Sequence, residues 1–136
     1  MERSEVQKWV NENIDRLVSL FGIQHWRIQV FYEAMSSDDA GDLHPLMRVN
    51  KKPEYERAAI RINYPALVDF EQLEESFKHE LMHIVAAPFD TAWAVIAEML
   101  TDEQMKVVDR LWTQAEELTV RNLERMHNAH LEANDA

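Results

Sequence analysis

The chain has no cysteine, and only two glycines and four prolines, in 136 residues. Without thiols there are no disulfides and no thiolate metal centres, so an ion bound here must be held by imidazole and carboxylate. No Pro/Gly/Ser-rich stretch, internal repeat or low-complexity tract divides the sequence, and a single domain over residues 1–136 is expected. Basic residues are also scarce, 14 against 25 acidic, for a formal charge of −11. That balance argues against nucleic acid as the main partner, because phosphate binding draws on clustered Lys and Arg. No apolar run approaches membrane-spanning length. The start, Met1-Glu2-Arg3-Ser4, lacks the basic-then-apolar order of a secretory signal. The expectation is a cytoplasmic protein with no membrane partner.

A hydrophobic content of 46% is enough for one real core. The pattern reads as α+β. Ser4 with Gln7 suggests a capping box, and Val6, Val10, Ile14, Leu17 and Phe21 recur at helical spacing until Gly22. Alternation over Trp26–Tyr32 suggests a strand, followed by a loop from Ser36 to Asp42. The acidic run Asp38-Asp39-Ala40-Gly41-Asp42 lacks calcium-loop spacing and reads as a solvated loop. Extended stretches at Leu46–Val49 and Ala58–Ile62, with a turn at Asn50-Lys51-Lys52-Pro53 between them, predict a small antiparallel sheet. A strongly buried helix from about Thr91 to Leu100 is expected to pack on the helix before it. Thr101 with Gln104 opens a long amphipathic helix that frays from Leu131. The four tryptophans, Trp9, Trp26, Trp93 and Trp112, suit core anchors, or for Trp9 a contact surface.

Between sheet and C-terminal helices lies His79-Glu80-Leu81-Met82-His83, an H-E-x-x-H pattern. Residues i and i+4 stand one turn apart on one helix face, so His79 and His83 can reach the same ion, with Glu80 beside it. Zinc at catalytic sites takes three protein ligands and keeps a position for water, whose proton a carboxylate such as Glu80 can accept as general base. The surrounding residues support a helix. Asp69 and Gln72 form a plausible cap, Leu73, Phe77, Leu81 and Ile84 form an apolar stripe, and Pro88 stops its continuation. Gln72, Ser76, His79 and His83 form a separate, adjacent stripe.

The pattern requires a third donor. The longer motif H-E-x-x-H-x-x-G-x-x-H is excluded, because Ala86 stands at its glycine and Phe89 at its last histidine. A glutamate is the natural alternative. Periodicity favours Glu116, at the margin of the last helix's apolar face with Trp112, Val120 and Leu123, over Glu117, which lies nearly opposite. Glu98 competes as a lone carboxylate in an apolar helix. His127 or His130 offers a candidate electrophile for a developing oxyanion.

HELMH on a central helix after a helix and short strands, with Glu-Glu-Leu-Thr-Val-Arg-Asn-Leu-Glu on a C-terminal helix, resembles a minimal zincin. The chain is similar to the small metallopeptidases encoded in phages and prophages. The resemblance implies a Zn2+ site with His79, His83 and Glu116 as ligands, Glu80 as the catalytic residue, and a protein or peptide substrate. It also implies an edge strand that pairs with extended peptide, by position Ala58–Ile62. A zincin scaffold acting only as a binding module for a protein partner is the alternative from another class. A third possibility is an acidic helical domain in which the histidines are incidental.

Overall fold

The first helix, α1 (Arg3–Leu20), buries Val6, Val10 and Leu17 and stops where glycine is needed. Gly22 takes φ +69°, letting its own N–H bond Ser19 O and the Ile23 N–H bond Val18 O, which satisfies two terminal carbonyls. At the other end, Glu5 rather than Gln7 closes the cap, its carboxylate accepting from the Glu2 N–H at 3.1 Å. The helix therefore begins before Ser4. This structure is a computed structural model, and it describes residues 1–34 and 46–135. The expected loop at Ser36–Asp42 lies outside them.

Three strands follow, β1 (Arg27–Glu33), β2 (Met47–Lys52) and β3 (Arg57–Asn63), in the spatial order β1-β3-β2. The β2–β3 pair is antiparallel as expected, but β1 pairs with β3 in parallel, so the sheet is mixed. The expected turn at Asn50–Pro53 is displaced. Strand β2 continues through Lys52, and a 3-10 turn at Pro53–Tyr55 ends at Glu56, which takes φ 51°. Strand β3 is thus central. Ala58–Ile62 is no edge strand, because parallel pairing with β1 occupies the side that a simple hairpin would leave open. β2 is the edge beside the motif helix.

That helix, α2 (Phe70–Val85), is capped by Asp69, whose carboxylate accepts from the Gln72 N–H at 2.8 Å, while Gln72 Oε1 accepts from the Val68 N–H. Its stripe of Leu73, Phe77, Leu81 and Ile84 is fully buried with Val6, Leu17, Ile60 and Ile62. Trp9 meets Phe77 edge-on at 5.9 Å, in the core-anchor role.

Two residues after α2 the chain enters α3 (Pro88–Glu98), with Pro88 at the first helical position where its missing N–H costs nothing. This helix is not the buried element its composition suggests. None of its residues is buried, Val95 is 53% exposed, and it packs mainly on the Pro53–Tyr55 turn and the last helix. Its anchor is Trp93 stacked on Trp112 at 5.3 Å. The last helix, α4 (Asp102–Asp135), opens on the expected reciprocal cap of Thr101 and Gln104 and stays helical past Leu131. It packs on α2 through Val120, Met82 and Ala86. No helix among the described residues is long and apolar enough to cross a membrane.

Candidate metal centre

The packing of α4 against α2 brings three carboxylates to two histidines. The helices run antiparallel, so Glu116 and Glu117 reach His83 while Glu124, two turns further on, reaches His79. His79 Nε2 and His83 Nε2 face each other at 3.3 Å. Glu117 presents one carboxylate oxygen 3.0 Å from His83 Nε2 and the other 3.6 Å from His79 Nε2. Two nitrogens held about 2.0–2.1 Å from one tetrahedral zinc stand about 3.3 Å apart. The donor spacing therefore suits a small ion among His79, His83 and Glu117, three groups whose ligand atoms lie within 4.8 Å of one another.

The opposite ring nitrogens are also engaged. His79 Nδ1 meets Glu124 Oε1 at 2.5 Å, and His83 Nδ1 meets Glu116 Oε1 at 3.3 Å. With the proton on Nδ1, each ring donates to the carboxylate behind it and the Nε2 lone pair is free. That is the tautomer a metal ligand requires.

Glu116, the residue periodicity favours as third ligand, thus sits behind His83 rather than beside the paired Nε2 atoms. Its partner is Lys51 of β2, whose ammonium donates to Glu116 Oε1 at 2.7 Å, bridges to Asp90 at 3.0 Å and donates to the His83 carbonyl at 3.1 Å. Burial pushes the Glu116 carboxyl up, but the Lys51 hydrogen bond and charge, with His83, more than offset it and hold the group below the ordinary carboxylate range. Glu98 is exposed on α3 and is not part of the His79, His83 and Glu117 group. Sequence reasoning missed Lys51 and Glu124. The signal for Glu124 was its spacing of seven, two helical turns, from Glu117, which puts both carboxylates on one face of α4.

Glu80 is 9% exposed beside this group. Burial pushes its carboxyl up to about 7, and Glu117 adds to the effect, while His79, a hydrogen bond from the Val49 N–H and Lys51 oppose it. The consequence for stability has a definite sign. In the metal-free chain Glu80 holds its proton to higher pH when folded than its ordinary value of 4.5 allows unfolded. Its contribution is therefore fully present at acid pH and is lost as pH rises through about 7. Urea midpoints measured with chelator present should fall between about pH 5 and 8 more steeply in the native chain than in Glu80→Gln. Equal slopes would mean that the carboxyl is not buried as described.

Two depressions meet over these residues. One of about 690 Å3 is lined by Met47, Glu75, His79, Glu80, Glu124 and His127. The other, of about 350 Å3, is lined by Met47, Val49, His79, Glu80, His83 and Glu117. Met47, His79 and Glu80 belong to both, so a continuous groove passes the donor group along β2. His127 packs its ring edge-on to Phe21 at 5.1 Å, and its Nε2 is buried without a hydrogen-bond partner among the described residues. Burial, then Lys78 and His130, lower its pKa, keeping the ring neutral. The chain matches no family model, no curated protein and no solved structure.

Proposed function

We propose that the chain is a metal-dependent hydrolase of peptide bonds, with His79, His83 and Glu117 as the ligands and Glu80 as the general base. One observation carries the reading: two Nε2 atoms and a carboxylate converge, while each Nδ1 is backed by a carboxylate of its own. An all-nitrogen-and-oxygen donor set of this kind suits Zn2+, which when bound supplies Lewis acidity and a water of near-neutral pKa. Glu117 replaces Glu116 in the ligand set because Glu116 is neutralised by Lys51.

Glu80 faces the groove from the residue next to His79. A carboxylate with a pKa near neutrality accepts a proton from the attacking water on one oxygen and returns it to the leaving amine. The open edge of β2 supports a peptide substrate. Leu46 O pairs with Asn63 N, so alternation turns the backbone groups of Met47, Val49 and Lys51 away from β3 and toward the groove. The Val49 N–H already bonds Glu80 from that edge. An extended peptide adding a fourth strand there would pass its carbonyls by the donor group.

The test is cleavage of a mixed peptide library by the full chain, before and after chelation. Cleavage that chelator abolishes and about one equivalent of zinc restores is expected. Cleavage indifferent to chelator would contradict the reading.

A further inference from the structure

The solvent-facing side of the sheet has a charge opposite to that of the whole chain. Alternation turns Arg27 and Phe31 of β1, Arg57 and Arg61 of β3, and Arg48 and Lys52 of β2 outward, and the only acidic residue in the three strands is Glu33. Five of the chain's 14 basic side chains thus share one small face of a molecule with a net charge of −11. Net charge alone averages over this separation.

The register makes the clustering unfavourable in isolation. Arg57 lies directly opposite Arg27 on one side and Lys52 on the other, and Arg61 lies opposite Arg48. Like charges in directly paired positions destabilise a sheet. Glu33 pairs with Arg61, but Arg27, Arg48, Lys52 and Arg57 are exposed and make no ion pair with any described residue. The arrangement suits a polyanion that neutralises them together.

The same face carries stacking surfaces. Phe31 is 38% exposed with the Arg61 guanidinium 4.9 Å from its ring centroid, and Tyr55, just past the end of β2, is 67% exposed. Both rings border a shallow depression of about 500 Å3, together with the amides of Gln29 and Asn50. Cations that track phosphates, rings on which bases stack and amides that meet base edges form the combination that holds unpaired strands. A duplex hides its base faces, and an acidic polypeptide has no use for the exposed rings.

We propose that this face binds single-stranded nucleic acid, with Arg48, Arg57 and Lys52 on phosphates and Phe31 and Tyr55 under bases. Three strands about 4.8 Å apart make a platform wide enough for roughly two or three nucleotides. The inference is independent of the hydrolytic reading, because the metal-donor group lies between α2 and α4 and shares none of these residues.

The experiment is fluorescence anisotropy of the full chain with labelled oligothymidylate and oligouridylate of about 12 nucleotides, from about 50 to 200 mM salt. Each cation on a phosphate contributes about −0.7 to the logarithmic salt slope, so a slope near −2 is expected for three contacts. Arg48→Glu with Arg57→Glu should weaken binding at least about tenfold and flatten that slope. Tyr55→Ala should weaken it roughly fivefold or more and leave the slope unchanged, because stacking carries no charge. These positions are exposed, and unchanged circular dichroism confirms the fold in each variant. No binding at about 50 mM salt would overturn the proposal. So would polyglutamate binding as tightly and without sensitivity to Tyr55→Ala, an outcome that would assign the face to an acidic polypeptide instead.

Discussion

Glu80→Gln should leave a folded, metal-binding chain that hydrolyses peptides roughly a hundred- to ten-thousand-fold more slowly, the range that a positioned general base supplies. The substitution keeps the side chain's shape and its capacity to accept the Val49 N–H, so β2 and α2 stay in place. It removes only the ability to take up and return a proton. Because a buried carboxylate is itself a cost, the metal-free variant should be no less stable than the native chain at neutral pH. Retention of more than about a tenth of the activity would assign the base elsewhere. The neutral ring of His127, in the wall of the same groove, would then be the group to examine.

Lys51→Met should destabilise the fold strongly. The Lys51 side chain is 10% exposed, and its three donors are taken up by Glu116, Asp90 and the His83 carbonyl. Methionine fills much of the space but leaves two partly buried carboxylates facing each other and a carbonyl unpaired. Breaking a buried ionic group at one partner costs about 3 kcal/mol, roughly 10 °C in melting temperature for a domain of this size. Adding Glu116→Gln should recover most of the loss, because it removes the charge left uncompensated. A drop of less than about 0.5 kcal/mol in the single variant would mean that water already satisfies these groups.

The site was legible in the sequence wherever a single helix determines it. His79, Glu80 and His83 owe their relation to helical periodicity alone, and the apolar stripe of Leu73, Phe77, Leu81 and Ile84 is buried where that periodicity puts it. The third donor depends on what lies across from α4. Periodicity correctly ranks Glu116 as more sheltered than Glu117, at 17% against 40% side-chain exposure. Shelter is not what selects the group nearest the paired Nε2 atoms. A lysine from a strand 65 positions away claims Glu116 first, and no reading of α4 by itself contains that.

The sheet followed the same logic. The first strand was recognisable from alternation and the other two as extended stretches about a turn, but the parallel pairing that puts β3 in the centre is a long-range choice, and it moves the open edge from Ala58–Ile62 to Met47–Lys52. The exposed α3 shows the limit of composition. An apolar helix that begins two residues after α2 is carried past the core, and only Trp93 finds a large partner.

The most direct measurement is the metal content of the purified, untagged chain beside His83→Ala and Glu117→Gln. About one zinc per native chain is expected, with loss of it in His83→Ala and at least about tenfold weaker retention in Glu117→Gln under competition with a chelator. A native chain that takes up no metal after incubation with zinc would contradict the proposed metal site.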